Sequence, residues 1–378
     1  MILYIGLSIF YLLCIIQEKM WKIKKSNKKI YIFLLVFPLF ILAAFRAPSV
    51  GNDTLNYYKS YLTVSQEAFF SPTQSRMEIG YIYYMRIIAL LGFGYLGFQI
   101  ITSAILLFSI SRFIYKYSTN IAFSFFIFMT TRMFFGIMNI SRQYLAIAVL
   151  LFSIECIRNK KLFKFSLFVL IATSIHFTAI FFFTAYFIAN SKLNEKRSIL
   201  LIMTGIFCGL LFDRIVLIFV SVTGRYSGYL EGRYFNFEGN IAIYINLLIN
   251  LIFFSVAFFT KYWISREHTK PIDQISTSNK ANIRLPYETI WYTLCLLTLI
   301  VSIVGLNATI LSRIEMYFSV FFLVFIPSVI RSIKSKEIRT IISLGIVVGL
   351  FASFVVVMVY RPHWNTVFPY QWYWDWIS

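Results

Sequence analysis

The sequence predicts an all-α fold: a polytopic membrane protein of about 12 transmembrane helices, with short re-entrant or half-helices and two outside loops. Three observations carry the prediction. Hydrophobic residues make up 59% of the 378-residue chain and charged residues 13%, against about 45–50% and about 25% in soluble domains. Apolar runs of 16 to 25 residues recur from end to end, long enough to cross a hydrocarbon core about 30 Å thick. The basic residues fall in short tracts between these runs, the pattern of cytoplasmic loops. Nothing marks off a separate soluble region, so residues 1–378 read as a single integral membrane domain.

Six basic tracts hold 24 of the 35 Lys and Arg residues: 19–29, 112–116, 158–164, 192–197, 261–284 and 331–339. Placing them inside orders the elements. The first apolar stretch, 1–17, has no basic residues before it and no small-residue cleavage site after it, so it reads as a retained helix. The second span covers 30–45, and an outside loop follows from Arg46 to about Met77. Residues 78–92 look helical and partly apolar, but a full crossing there would put the next basic tracts outside; they read as re-entrant or interfacial. Spans at 95–115, 120–136 and 139–157 come next, then a hairpin of short helices at 162–174 and 177–190. Further spans cover 198–222, 241–260, 290–305, 310–330 and 341–360, with the second outside loop at 225–240 and both termini outside. The tail FPYQWYWDWIS suits an interfacial aromatic belt.

The net charge of +20 does not indicate nucleic acid, because the charge sits in membrane-flanking tracts and not on one soluble face. Four scattered cysteines and three histidines show no metal-ligand spacing, and neither a metal nor a cofactor is expected.

The 11 basic residues outside these tracts are ten Arg and one Lys, whereas the tracts hold 17 Lys and 7 Arg. Lys suits exposed loops, while Arg offers a planar fork for phosphate or carboxylate. Charge within a membrane is costly and faces a cavity or a partner. The outer arginines therefore suggest an anion site, or else pair with acids. Arg132 and Arg142 flank a hairpin tip where Asn139, Ser141 and Gln143 add hydrogen-bonding groups. Arg313 lies beside Glu315, and two-residue spacing on a helix sends each toward a different partner. Asp53, in the turn V-G-N-D-T, suits either an Asx-turn or helix cap before Leu55 or a catalytic carboxylate. Glu78 opens a helix, where a carboxylate also favours the helix dipole. His176, at the turn of the short-helix hairpin, can be a general base or acid, a phosphate donor or a structural histidine. Tyrosines 57, 58 and 61 in the first outside loop, and 226, 229 and 234 in the second, offer faces for a sugar but are ordinary at a membrane boundary.

Four pieces in order, FRAPSVGNDTLNYY, MEIGYIYYM, SRQYLAIAVL and SIHFTAIFFF, resemble the EpsG/Wzy-type family of bacterial polysaccharide polymerases; RIEMYFSVFFLVFIP is a looser fit. The resemblance implies a multi-pass, metal-independent glycosyltransferase of the bacterial cytoplasmic membrane with its active site facing outside. It would join undecaprenyl-pyrophosphate-linked repeat units into O-antigen, capsule or exopolysaccharide. Its partners would be that lipid-linked glycan and the bilayer, with room for a chain-length regulator. Carried onto this chain, Asp53, Glu78 and His176 are the unranked candidate bases. Arg46, Arg132, Arg142 and Arg313 are candidate pyrophosphate contacts, and Asn52, Thr54, Tyr57 and Gln143 candidate substrate contacts. A lipid-linked oligosaccharide flippase is the alternative. An O-antigen ligase calls for a larger outside loop, and an O-acyltransferase for an acid motif beside His176.

Overall fold

The computed structural model describes residues 1–20, 27–191, 193–212, 214, 241–264, 284–306, 311–363 and 365–377. The described residues are all-α. Asp213 and the second outside loop, with Arg225, Tyr226, Tyr229, Glu231, Arg233, Tyr234 and Glu238, lie outside them, as does most of the 261–288 loop. The chain forms two compact units. The first comprises Met1–Ile154, Ser166–Ile180 and Ile341–Ser378; the second comprises Glu155–Phe165 and Phe181–Thr340.

In the first unit, α1 (Ile2–Met20) and α2 (Lys28–Ala44) are apolar helices held together by polar pins. The buried Tyr11 hydroxyl donates to the Leu35 carbonyl at 2.8 Å. An outer segment leads to α3 (Thr54–Gln66) and α4 (Ile79–Leu90), and then to α5 (Tyr95–Tyr117), which packs along α2. Next come α6 (Ile121–Thr130), α7 (Met133–Asn139) and α8 (Ser141–Phe152), and the chain passes into the second unit along α9 (Ile154–Arg158). The N-terminus of α6 is closed by the Asn120 side chain, which accepts from the Phe123 amide, and by Glu18 of α1. The Glu18 carboxylate accepts from the Ile121 and Ala122 amides at 3.2 and 2.9 Å. An acid at the positive end of a helix is favourable, and here it also ties α1 to α6.

The first outside loop departs from the sequence reading, because α3 occupies its centre. Its polar sequence TLNYYKSYLTVSQ has low mean hydropathy yet buries Thr54, Tyr57, Tyr61 and Val64 on one face, so an apolar-run search passes over it. Arg86 also departs from the anion-site set. It is buried, pairs with Glu67 at 2.7 Å and donates to the carbonyls of Phe69 and Ser71 at 2.6 and 2.9 Å. Arg86 therefore pins the α3–α4 connection. Because Glu67 is partly exposed and can be hydrated once the guanidinium is gone, Arg86→Ala is expected to cost about 1–3 kcal/mol, the range for lost hydrogen bonds to a charged group, read as a lowered melting temperature in detergent.

Two expected spans are broken. Residues 120–136 bend by 59° between α6 and α7, and a similar break of 50° separates α15 (Leu311–Ser319) from α16 (Phe322–Ser332) in the second unit. At the first break Arg132 has φ 65°, ψ 15°, a left-handed conformation that no hydropathy profile registers.

The second unit contains α11 (Phe183–Asn190), α12 (Glu195–Leu210), α13 (Ile241–Phe259), α14 (Tyr287–Val304), α15 and α16. Here α14 is the buried centre, and α12 approaches it closely because a Cβ at Gly205 would meet Ile300 Cγ2 at 2.9 Å. Asn250 of α13 donates to Ser302 at 2.6 Å and to Glu315 at 2.8 Å, so Glu315 has a partner other than Arg313, as its spacing predicts. At the start of α14, Tyr287 donates to Glu155 at 2.7 Å and accepts from Arg158 at 3.0 Å.

Helix α10 (Leu162–Ile175) and α17 (Lys336–Tyr360) each begin in the second unit and continue into the first. Among the described residues four helices are long and apolar enough to cross a membrane: Tyr95–Tyr117, Ile243–Tyr262, Tyr287–Val304 and Lys336–Tyr360. Counting each bent pair as one span brings the number to six. Shorter apolar helices account for other sequence-predicted crossings, among them Ile2–Glu18, Leu162–Ile175 and Phe177–Asn190. Large apolar side chains face outward from these helices, including Phe33 and Leu34 of α2, Phe108 of α5 and Ile341 and Leu344 of α17. Such surfaces suit an integral membrane protein.

Candidate functional site

The first unit brings four distant segments to the breaks around α7 and α8. The turn before α3 depends on Gly51, at φ +104°, where a Cβ would meet the Met138 carbonyl at 2.7 Å. Beside it the buried Thr54 hydroxyl donates to that same carbonyl at 2.9 Å, and the Asp53 amide donates to Asn139 Oδ1 at 3.1 Å. The 365–373 tail holds the other side of this loop. Ala47 N donates to the Gln371 carbonyl at 2.9 Å, Gly51 N to the Thr366 carbonyl at 2.9 Å, and Tyr373 N to the Phe45 carbonyl at 2.8 Å. Asn52 accepts from the Thr366 hydroxyl. The aromatic tail thus serves as a brace for the Arg46–Asn52 loop, a pairing that its composition does not reveal.

Asp53 and Glu78 both occupy N-cap positions, yet neither side chain caps its helix. Glu78 instead faces Arg142 and His176. Its Oε2 receives Arg142 Nη1 at 2.5 Å; its Oε1 lies 3.2 Å from His176 Nδ1 and accepts from the Phe177 amide at 3.0 Å. Arg142 stands in the first turn of α8, which starts at Ser141 after the chain breaks at Ile140, φ −111° and ψ 52°. His176 follows the end of α10 and is buried. The approach of α10 to α4 depends on Gly80, because a Cβ there would meet Ser174 Oγ at 2.4 Å and the Ser174 carbonyl oxygen at 2.7 Å.

Burial raises the Glu78 carboxyl, but the hydrogen bonds from His176 and Phe177 and the Arg142 charge outweigh it and bring it down to about 2. Glu78 is therefore an anion across the working pH range and a weak proton acceptor. Because its folded pKa lies below the ordinary 4.5, its stabilisation is fully present above pH about 4.5 and is lost as pH falls toward about 2. Wild-type protein is expected to lose roughly 1–3 kcal/mol more across that window than Glu78→Gln, after allowance for partial solvent screening. Thermal melts in detergent at stepped pH check this.

With Nδ1 turned to Glu78, the neutral tautomer that donates there leaves Nε2 as an acceptor. His176 Nε2 is buried without a hydrogen-bond partner among the described residues, as are the Tyr81 hydroxyl and Arg142 Nε. The Arg142 guanidinium lies 6.0 Å from the centre of the Tyr81 ring, and Tyr57 meets the same ring edge-on at 5.8 Å. Tyr81 is in electrostatic range of both Arg142 and Arg46. Arg46 is buried, donates to the Ala43 carbonyl and is surrounded by the tyrosines at 4, 81, 95 and 370. Gln99 of α5 fixes this backbone by donating to the Ala44 and Arg46 carbonyls at 2.9 and 2.8 Å. A cavity of about 10 Å³, room for one water, lies beside Arg46, Tyr57, Gln99 and Ser141.

Of the sequence-predicted residues, the first unit draws together Glu78, Arg142 and His176 directly. Asp53, Thr54 and Asn52 lie on the loop anchored to Met138, Asn139 and Thr366. Tyr57 and Gln143 are buried, and Arg132 is buried at the left-handed break. Arg313 belongs to the second unit, in the first turn of α15. Sequence reasoning passed over Tyr81, Gly80 and Gln99. Gln99 had a signal, a lone amide within an apolar helix; Tyr81 sits among many tyrosines and had none.

These features define a class: an all-α integral membrane protein with an arginine–carboxylate–histidine cluster assembled at helix breaks. The sequence model of the EpsG family matches residues 29–372, and the chain belongs to that family, membrane proteins linked to exopolysaccharide biosynthesis. The resemblance drawn from the four sequence pieces therefore holds for the EpsG family. No curated protein and no solved structure matches the chain.

Proposed function

We propose that this protein is a membrane glycosyltransferase. It polymerises undecaprenyl-pyrophosphate-linked oligosaccharide repeat units into O-antigen, capsule or exopolysaccharide at the outer face of the bacterial cytoplasmic membrane. The observation that supports this best is the Glu78–His176 contact: a carboxylate held ionised, an imidazole oriented by it, and a buried Nε2 left to accept a proton. In the reaction, His176 Nε2 takes the proton of the acceptor sugar hydroxyl. The acceptor oxygen forms the new bond to the anomeric carbon of the donor glycan as the bond from that carbon to the pyrophosphate oxygen breaks. Undecaprenyl pyrophosphate leaves with the electron pair. Arg46, Arg132 and Arg142 are assigned to its growing negative charge, which preorganised cations stabilise in a water-poor site; Arg313 is the further candidate from the second unit. Asn52, Thr54, Tyr57 and Gln143 are assigned to the sugars, and Asp53 is the second candidate base.

The test is polymerisation by purified protein of a synthetic undecaprenyl-pyrophosphate repeat unit, without nucleotide sugar or divalent metal. A ladder spaced by one repeat unit supports a polymerase. Unextended material from folded protein overturns the reading and turns attention to a flippase, measured as transport of the same lipid in sealed vesicles. Arg142→Ala is expected to cut extension by about 10²–10³-fold, the cost of losing one transition-state charge partner. Full polymer length in cells from both Arg142→Ala and Asp53→Ala, at normal protein levels, would remove the site assignment.

A further inference from the structure

An open groove lies apart from this cluster, on the outward surface between α2 and α5. The two helices run antiparallel, so the start of α2 meets the end of α5: Lys28 Nζ donates to the Tyr115 carbonyl at 3.3 Å. Between them is a groove of about 440 Å³. Its walls are apolar, lined by the exposed Phe33, Phe37 and Phe108 and by the small, exposed Ala104. One end is cationic. Lys29, in the first turn of α2, and Arg112, near the end of α5, both line it and both are exposed. Arg112 lies 4.7 Å from the centre of the Phe152 ring, which holds the guanidinium in place. Neither cation pairs with a carboxylate among the described residues. Ser111 adds a buried hydroxyl in the groove wall, again without a hydrogen-bond partner among the described residues.

We propose that this groove binds an anionic glycerophospholipid, with its acyl chain along the Phe33–Phe37–Phe108 wall and its phosphate at Lys29 and Arg112. The apolar walls suit hydrocarbon, the unpaired cations at one end suit a phosphate, and the Ser111 hydroxyl suits an ester or phosphate oxygen. The length selects among lipids. From Lys29 to Phe40 the α2 axis rises about 16 Å, half of a hydrocarbon core about 30 Å thick. That is the depth of one leaflet and of one acyl chain. On the orientation expected from the basic tracts, the leaflet is the cytoplasmic one.

Native mass spectrometry of the full chain, released from micelles doped with equal phosphatidylglycerol and phosphatidylcholine, tests the proposal. Phosphatidylglycerol is expected to be retained about tenfold over phosphatidylcholine. Lys29→Gln combined with Arg112→Gln should lower that retention by about tenfold, since each basic residue near a lipid phosphate contributes to anionic-lipid affinity. Ala104→Trp narrows the groove with the charges intact and should also lower it; Ala104→Leu is the smaller filling variant if the Trp variant does not fold. Lys334→Gln with Lys336→Gln, an equal loss of charge elsewhere, should retain the lipid as wild type does. The proposal fails if phosphatidylglycerol is not preferred, if the filled groove binds as before, or if the distant charge pair matters equally. It also fails if undecaprenyl phosphate at equal concentration displaces the phosphatidylglycerol, which would assign the groove to a polyprenyl carrier.

Discussion

Replacing His176 by Gln is expected to slow repeat-unit polymerisation by about 10²–10⁴-fold while the protein stays folded, the range for loss of a positioned general base. A glutamine amide can still reach Glu78, so the contact at Oε1 has a replacement and the burial of residue 176 is retained. What disappears is the buried Nε2 acceptor. Glu78 is not expected to substitute, because the Phe177 amide and the Arg142 charge, which the variant keeps, still hold its carboxyl below the ordinary range. In the proposed mechanism Glu78 acts instead as a positioning residue. Glu78→Gln is expected to lower kcat by roughly tenfold or more with KM for the lipid-linked donor unchanged, whereas a purely structural role would lower the yield of folded protein and leave kcat per folded molecule intact. The assay is single-repeat extension by purified protein, normalised to the monodisperse fraction on size exclusion. Unchanged kcat in His176→Gln would move the proton transfer to Asp53.

Gly80→Ala should be nearly as damaging although residue 80 has no part in the proposed chemistry. Its new Cβ would fall 2.4 Å from Ser174 Oγ, 2.7 Å from the Ser174 carbonyl oxygen and 2.8 Å from the Ser174 carbonyl carbon. The hydroxyl could rotate away, but the peptide group cannot, so α4 and the end of α10 must separate. Gly80 lies two residues after Glu78, and Ser174 two before His176, so the separation falls on the Glu78–His176 contact. Overpacking of this kind costs about 1–3 kcal/mol, and a displacement of about 1 Å at a reacting group can cost about 10²-fold in rate. Ser174→Gly in the same chain should not rescue activity, because the carbonyl oxygen remains in the way. Recovery in that double variant would show that the side chain alone made the clash, and that the two helices are not held by backbone contact.

The residues of the cluster were legible because each carries a charge or a titratable group where such groups are costly. Glu78, Arg142 and His176 stand in apolar surroundings, and their sequence already implied partners or a cavity. Their mutual contact was not legible, since residues 64 and 98 positions apart meet only through the packing of α4, α8 and α10. Hydropathy located the long helices α5, α14 and α17 but not the break at Arg132, because the apolar run continues through a residue whose backbone has turned left-handed. It also missed α3, whose one-sided burial leaves a polar average. Arg86 took the other course open to the outer arginines, pairing with the acid Glu67 and with two backbone carbonyls, partners that its own sequence surroundings do not name.

The brace on the Arg46–Asn52 loop has a consequence for biogenesis. Thr366 lies 314 residues beyond Asn52, and Gln371 lies 322 beyond Ser49, so the loop is translated and inserted long before its support exists. A nascent chain can already carry Glu78, Arg142 and His176, and the contacts of residues 53 and 54 with Met138 and Asn139, while the 47–52 side of the loop still lacks its partners at Thr366 and Gln371. The loop is therefore completed only once Thr366 and Gln371 have been made, after every residue of the Glu78–Arg142–His176 cluster.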